Sequence, residues 1–100
     1  MSHTVIAFLH ARDGGLAALR DFEAQVLPIL DDHGGRLVCA VAPDGGTFDP
    51  RPDEVHLLSF PELEAFVAYR ADPRHAGLAE VRARAIGRPD VLTGITVDYG

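Results

Sequence analysis

Hydrophobic residues in this chain occur in short runs that alternate with longer stretches of helical spacing. The runs TVIAFL (residues 4–9), RLVCAVA (36–42) and VHLLSF (55–60) are too short for typical helices and are bounded by polar residues, Gly or Pro, which favours buried strands. Residues 90–99 close the chain as another predicted strand, because β-branched residues alternate along them toward one face. The pattern therefore predicts four strands.

The first helical region lies between the first two strands. Apolar residues recur at helical spacing from Leu16 to Leu30, and Gly34-Gly35 then supplies the end of the helix. Pro28 removes a backbone hydrogen bond inside this stretch and predicts a kink or a loose last turn. A polar turn that contains Asp13-Gly14-Gly15 is expected before the helix.

The second helical region follows the third strand and is predicted in two parts. Pro61 suits the first position of a helix, and Asp72-Pro73 repeats a start signal in which an N-cap acid precedes proline. The apolar stripe of the second part consists of Leu78, Val81 and Ala85. The turn-rich residues 43–52, between the second and third strands, are too few for a crossover helix.

The resulting order is βαββαβ, which predicts an α+β ferredoxin-like fold over residues 1–100 as a single domain. Right-handed crossovers give a four-stranded antiparallel sheet in the order 4-1-3-2, with both helices on one face. Along each strand of such a sheet apolar and polar residues normally alternate, but in the first two strands the residues that face either side of the sheet are apolar. Since two helices cover only one side, we expect a homodimer in which a second copy packs sheet to sheet.

Composition excludes several classes of partner and reaction. The net charge is −6 and the basic residues, all Arg, are scattered, which argues against binding to nucleic acid or an anionic membrane. No apolar run reaches membrane-spanning length and no signal-peptide core follows the start Met, so a cytoplasmic location is expected. The one cysteine, Cys39, is expected to be buried and inert. The absence of Lys excludes Schiff-base chemistry, and Ser59 lies in a strand pattern rather than on the Gly-flanked elbow of a serine hydrolase.

His10 and His56 are the candidate catalytic residues. The first and third strands of the predicted sheet are antiparallel neighbours, so His10 is expected beside Glu54 or His56, with residues 90–92 on its other side. Two imidazoles and a carboxylate can bind a divalent metal or act as an acid–base pair. No HxH or HExxH spacing supports a metal, so neither a metal nor another cofactor is predicted. Proton transfer or ligand contact is the favoured chemical role, although solvated histidines at strand ends are the commoner reading of such a pattern.

The second helical region carries the candidate ligand-binding residues Tyr69, His75 and Arg82. His75, Ala79, Arg82 and Ile86 form a stripe along the edge of its apolar face. From there Arg82 can receive the carboxylate or phenolate of a ligand held between helix and sheet, and Tyr69 can donate its hydroxyl into the same pocket. The alternatives are an Arg whose stem covers the core and a Tyr that only packs.

Two long segments also carry a family resemblance. They are FEAQVLPILDDHGGRLVCAVA (22–42) and, after a Gly-rich hairpin, EVHLLSFPELEAFVAYRADPRHAGLAEVRARA (54–85), and together they resemble the DUF1330 family. That family belongs to the dimeric α/β-barrel superfamily, so the resemblance implies a homodimer whose paired sheets form a barrel, with a pocket for a small organic ligand between each sheet and its helices.

The resemblance leaves more than one function open. Better-known members of the superfamily are cofactor-independent enzymes, which implies a monooxygenase or an isomerase/cyclase. The alternative is a non-catalytic ligand-binding or accessory dimer. The Asn and Trp that recur in the monooxygenase sites are absent from this chain. A third hypothesis is a haem-binding protein in which His75 ligates the iron, although no other residue indicates haem.

Overall fold

The computed structural model describes residues 2–12 and 15–100, so Asp13 and Gly14 of the predicted turn lie outside the described residues. Its strands are β1 (His3–Ala11), β2 (Arg36–Val41), β3 (Glu54–Phe60) and β4 (Ile86–Ile95). Its helices are α1 (Gly15–Asp32), α2 (Leu63–Ala71), α3 (Pro73–Ala76) and α4 (Ala79–Ala85). None of the helices in these described ranges is both long enough and apolar enough to span a bilayer.

The strands form one antiparallel sheet whose order confirms the predicted ferredoxin-like fold. The order is β2-β3-β1-β4, which is the predicted 4-1-3-2 arrangement counted from the other edge. β1 lies in the interior of the sheet, where Val5 opposes Leu58 of β3 and Thr93 of β4. The register shifts between Leu37 and Cys39 in the β2–β3 pairing and between His10 and Ala11 in the β1–β4 pairing, whereas the described β1–β3 pairing is regular.

The second helical region differs from its prediction. α2 begins at Leu63 with Glu62 as its N-cap residue, after the predicted start at Pro61. A hydrogen bond of the 3₁₀ type accompanies this start, since the Ala65 amide donates to the Glu62 carbonyl at 3.2 Å. The predicted second part is not one helix, since a break at Gly77 separates α3 from α4.

β4 also extends differently from its prediction, whereas α1 ends at Asp32, just before the predicted stop at Gly34-Gly35. β4 begins at Ile86, directly after α4, and ends at Ile95, whereas the sequence predicted a strand over residues 90–99. The earlier start follows from strand pairing, since Ile86 opposes Ala11 at the end of β1. α1 continues as a helix through Pro28.

The core lies between the helices and one face of the sheet. Phe60, Leu19 and Val5 are the largest of its fully buried side chains. The remaining core residues come from α1, from strand ends and from α2 and α4, namely Leu9, Phe22, Val26, Ile29, Leu30, Tyr69, Ala85 and Ile86. The alternating burial of β3 follows from this one-sided cover, because side chains of one parity face the helices.

The other face of the sheet carries apolar side chains and no covering layer within the described chain. Ile6 in β1 opposes Leu57 and Leu92 on this face, and Leu92 is 60% exposed. Val38 of β2 is also exposed, to 47%. Cys39, which the sequence predicted to be buried, is exposed because it opposes Leu57 on this uncovered side of an edge strand.

A polar cluster ties the end of α1 to the junction of α2 and α3. The Asp72 carboxylate caps α3 by accepting the Arg74 amide at 2.8 Å, and it also accepts His33 Nε2 at 2.8 Å. The Arg74 guanidinium bridges Asp72 and Asp32, at 2.9 and 2.8 Å. The hydrogen bonds from Arg74 and His33 hold the pKa of Asp72 well below its ordinary value. This cluster fixes the turn that brings α3 against α1.

Candidate functional site

A cavity of about 280 Å³ lies between the sheet and the helices. Both layers contribute its apolar lining, which includes Val5, Ala7, Leu9, Phe22, Val26, Leu58 and Phe66. Its ionisable groups are Glu23, His56, Tyr69, Arg70, His75 and Arg82. Apolar cavities with a few convergent polar groups are the usual form of small-molecule sites.

His56 lies on the sheet side of this cavity, between two carboxylates. Glu54 and His56 are two residues apart in β3, so both side chains point toward the helices. His56 is 4% exposed, and its Nε2 donates to Oε1 of Glu54 at 2.7 Å. Its Nδ1 lies 3.5 Å from Oε2 of Glu23 on α1, an ion-pair distance longer than a good hydrogen bond. Arg20, also on α1, donates through Nε to the second Glu54 oxygen at 3.0 Å.

Burial and ion pairing set the charge of this cluster. Burial lowers the pKa of His56, but the Glu23 and Glu54 carboxylates outweigh it and raise the pKa of His56 above its ordinary value. Burial also works against ionisation of Glu54, yet the partners His56 and Arg20 bring the pKa of Glu54 below its ordinary value. The arrangement therefore favours an imidazolium held between carboxylates.

The opposite wall of the cavity is formed by the short helices. Tyr69 of α2 is 6% exposed, and its ring packs edge-on against His75 of α3 with 4.8 Å between centroids. Arg82 of α4 is half-buried and lines the same space. The Arg70 guanidinium lies 5.7 Å from the centre of the Phe66 ring. The predicted stripe of His75, Ala79, Arg82 and Ile86 faces one cavity, since the lining of the cavity includes every member of the stripe.

The charges on this wall act on His75 and Tyr69. Burial lowers the pKa of His75, and the Arg70 and Arg82 guanidinium groups lower it further. Burial raises the pKa of the Tyr69 hydroxyl far above its ordinary value, and the Glu23 carboxylate adds to that shift. At neutral pH Tyr69 keeps its proton and His75 is neutral. One cavity thus contains a histidine whose pKa is raised and another whose pKa is lowered.

His10 lies apart from this cavity, so its predicted grouping with His56 is wrong. Across the β1–β3 ladder His56 opposes Ala7 and Glu54 opposes Leu9, and these pairs face the helices. His10 has the other parity, so strand alternation sends its side chain to the uncovered face. There it lines a separate groove together with Phe8, Phe48, Asp90 and Leu92. Its expected neighbours at the start of β4 are therefore present.

Glu23 is the site residue that the sequence reasoning missed. It lies three positions before the buried Val26 in α1 and therefore borders the apolar face of that helix. The sequence predicts Glu54 only as a neighbour of His10, although a position two residues before His56 in a strand also predicts a shared face. Within residues 2–12 and 15–100 no group of three or more His, Cys, Asp or Glu side chains has the geometry to hold a metal ion.

Comparison with other proteins gives a fold and no activity. The sequence matches no protein-family model and no curated protein. Among solved structures, RPA0582 of Rhodopseudomonas palustris, a protein of unknown function, has a TM-score of 0.79 at 18% identity over 97% of this chain and 83% of its own. A dimeric ferredoxin-like protein of unknown function from Thermobifida fusca has a TM-score of 0.61 at 17% identity, over 96% and 92% of the two chains. An uncharacterised NIPSNAP-like domain protein from Burkholderia xenovorans has a TM-score of 0.71 at 19% identity, over 99% and 88%.

Proposed function

We propose that this chain is a DUF1330-like homodimer that binds a small organic carbonyl compound between its sheet and helices and isomerises it by proton transfer without a cofactor. The observation that carries the proposal is the buried His56, which lies between Glu23 and Glu54 in the wall of an apolar cavity. Titratable groups whose pKa values are pushed apart in one cleft are typical of acid–base sites. His75, with its lowered pKa, supplies the contrast to His56.

The proposed step uses Glu23 as the base and His56 as the acid. Glu23 takes a proton from the carbon next to the substrate carbonyl, and the electron pair of that C–H bond forms a C=C bond while the carbonyl π pair moves to oxygen. His56 donates its Nδ1 proton to that oxygen and gives an enol, while Glu54 holds the ring through Nε2. When the substrate carries a further C=C bond next to that carbon, the product of this step is a dienol. Return of the Glu23 proton to the far carbon of the dienol moves the C=C bond, and return of the hydroxyl proton to His56 re-forms the carbonyl, so the double bond is isomerised and both groups are restored.

Proton transfer accounts for the residues of the cavity better than oxygenation. The Asn and Trp of the superfamily's monooxygenase sites are absent from the chain, whereas an acid and a base both line the cavity. The same enol can attack a second carbonyl within the substrate, so a cyclase would use the same two groups. Isomerisation and cyclisation are therefore variants of one proposal.

The homodimer in this proposal is supported by the uncovered face of the sheet. The smallest dimension of the chain is 16 Å, which corresponds to a sheet with a helical layer on one side only. A second sheet packs about 10 Å from the first in face-to-face arrangements and would cover the exposed apolar side chains. Two proteins with similar structures, from Thermobifida fusca and Bacteroides fragilis, are described as dimeric.

Exchange of substrate protons with solvent tests the chemistry before the natural substrate is known. Small cyclic and aromatic ketones are incubated with the protein in D₂O, and loss of the proton signal next to the carbonyl is followed by NMR. We expect wild-type protein to accelerate this exchange, and E23Q and H56Q to lower the rate by about 10²–10⁴-fold, the usual contribution of a positioned acid or base. D21N, which changes an exposed carboxylate on the same helix, should exchange as the wild type does. A wild-type protein that accelerates exchange for none of the ketones would contradict an enzymatic role.

A non-catalytic ligand-binding dimer is the alternative, and one observation favours it. Both ring nitrogens of His56 face carboxylates, which is also the arrangement of a buried structural ion pair. In that case ligands still raise the melting temperature of the folded H56Q protein, because stabilisation requires only that they bind the native state. The same protein would then show no exchange activity before or after the substitution.

A further inference from the structure

The helical wall of the cavity presents polar groups that have no protein partner. Within the described part of the chain, the Arg82 guanidinium forms neither an ion pair nor a hydrogen bond. The Tyr69 hydroxyl likewise donates to no described residue, although Tyr69 is only 6% exposed. His75 contacts Tyr69 ring edge to ring face, which leaves its nitrogens without a described hydrogen bond. Among the described residues only His3 Nε2 is both fully buried and unpaired, so these three groups reach the solvent of the cavity. A ligand that displaces this solvent would have to supply their hydrogen-bond partner.

The sheet wall is different because its charges already balance. The carboxylates of Glu23 and Glu54 face the protonated His56 and the Arg20 guanidinium. Arg82 has no such counter-ion among the described residues. Its positive charge acts on His75 and, together with burial, lowers the pKa of His75. A half-buried cation without a partner loses hydration and gains nothing in return. The unbalanced charge of the cavity therefore lies on the helical side and is positive.

We propose that this helical wall is an oxyanion subsite, and that the substrate is an apolar ring compound bearing one carboxylate or phenolate group. Arg82 forms the ion pair with that group, and the Tyr69 hydroxyl and the neutral His75 donate hydrogen bonds to it. The inference rests on the proposed function, since it places the reacting carbonyl of the same molecule toward His56. It adds the charge and the orientation of the substrate.

The volume of the cavity restricts the size of this compound. About 280 Å³ lies just below the range of about 300–1,000 Å³ that ligand pockets have. The lining between the two polar walls is apolar and includes the aromatic rings of Phe22 and Phe66. A single ring with short substituents fits this space, and its flat faces would contact those side chains.

Paired titrations with benzoate and benzamide test the charge preference, since the two probes share a shape and differ in charge. Each is added to the full-length protein and followed by amide NMR. We expect benzoate to bind more tightly than benzamide. We expect R82Q to weaken benzoate by about ten- to a hundredfold, the worth of a hydrogen bond to a charged group, with little effect on benzamide. R84Q is the matched control, because Arg84 is exposed on the same helix and lines a different groove.

The possible results separate this inference from the proposed function. If benzoate and benzamide bind equally and R82Q changes neither, the oxyanion subsite is wrong while the ligand cavity stands. If neither probe binds, the cavity proposal fails and the subsite fails with it. The titration of His75 in wild-type protein gives a readout that needs no substitution, in case R82Q folds poorly. Bound benzoate should raise the pKa of His75 and bound benzamide should not, and an unchanged His75 pKa with benzoate bound would overturn the subsite.

Discussion

His56 connects the stability of this protein to its proposed chemistry. The residue is almost completely buried, and each ring nitrogen faces a carboxylate. Replacement by Gln preserves approximate size but removes the charge, so Glu54 keeps only Arg20 as an ionic partner. Loss of a hydrogen bond to a charged group costs about 1.5–3 kcal/mol. The substitution should therefore destabilise the fold as well as remove the acid.

The pH dependence of this loss follows from the two shifted pKa values. The pKa of His56 is raised in the folded state. Its contribution to the free energy of unfolding is therefore fully present below about pH 6.5, the pKa of an unperturbed histidine, and is lost as the pH rises through the pKa of the folded protein. The pKa of Glu54 is lowered in the folded state. Its contribution to the free energy of unfolding is therefore present above pH 4.5 and is lost as the pH falls through the pKa of Glu54 in the folded protein. We expect the stability difference between wild type and H56Q to be largest between pH 4.5 and 6.5 and to shrink at higher pH. Urea unfolding at one fixed protein concentration measures it.

A double-mutant cycle with Glu54 assigns the effect to the ion pair. In E54Q and in E54Q/H56Q the pair is already broken, so the cost of losing His56 should fall and its dependence on pH should weaken. A stability difference that grows as the pH rises from 6.5 to 9 would contradict the raised pKa. An equal cost of H56Q in the presence and absence of the Glu54 carboxylate would contradict the pairing itself.

At the scale of elements, the passage from α1 into β2 depends on Gly35. Its amide donates to the Leu30 carbonyl at 3.0 Å, and a Cβ added at this position would overlap Leu30 Cδ1 and lie 2.7 Å from Phe60 Cε1. Both neighbours are buried core residues that cannot move without displacing others. We expect G35A to lower the free energy of unfolding by about 1–3 kcal/mol through overpacking, measured by thermal or urea unfolding.

G45A is the control for this prediction. Gly45 lies in the loop between β2 and β3, and nothing lies within 4 Å of a Cβ added there. Exposed substitutions away from special features usually change stability by less than about 0.5 kcal/mol. If G35A were as stable as G45A, the close approach of α1 and β3 at Gly35 would not constrain the fold as the geometry implies.

The sequence predicted the elements better than their ends. Short apolar runs located β1, β2 and β3, alternating β-branched residues indicated β4, and the Asp72-Pro73 signal located the start of α3. The start of β4 was missed because residues 86–89 have no strand pattern of their own, and β1 pairing decides their conformation. The break at Gly77 was missed because a glycine within a helical pattern signals an interruption only weakly. Tertiary contacts, rather than local propensity, set these boundaries.

The candidate site was predictable only where one element carries it. The stripe of His75, Arg82 and their neighbours could be read from helical spacing, and it does line the cavity. The grouping of His10 with His56 needed the parity of two strands relative to each other, which depends on a register that sequence leaves open. Glu23 was missed for a related reason, since only the packing of α1 on β3 brings it to His56.

At the scale of the whole molecule, the uncovered sheet face makes a prediction about assembly. If two copies pair through this face, Leu92 becomes buried in the interface, since it is apolar, 60% exposed and next to Ile6. A carboxylate at this position would have to leave water without a partner. We expect wild-type protein to sediment as a dimer at micromolar concentration, and L92E to raise the dimer dissociation constant by about a hundredfold or more.

V67E is the matched substitution that separates assembly from folding. Val67 is 56% exposed on α2, so it receives the same charge on a similar apolar residue but on the helical side of the molecule. V67E should remain dimeric, and both variants should keep the circular dichroism of the fold at concentrations where they are soluble. A wild-type protein that stayed monomeric at micromolar concentration would remove the reason for a second sheet, because one layer of helices would then suffice for a stable chain. Equal loss of dimer in V67E and L92E would instead place the contact between copies somewhere other than the open face of the sheet.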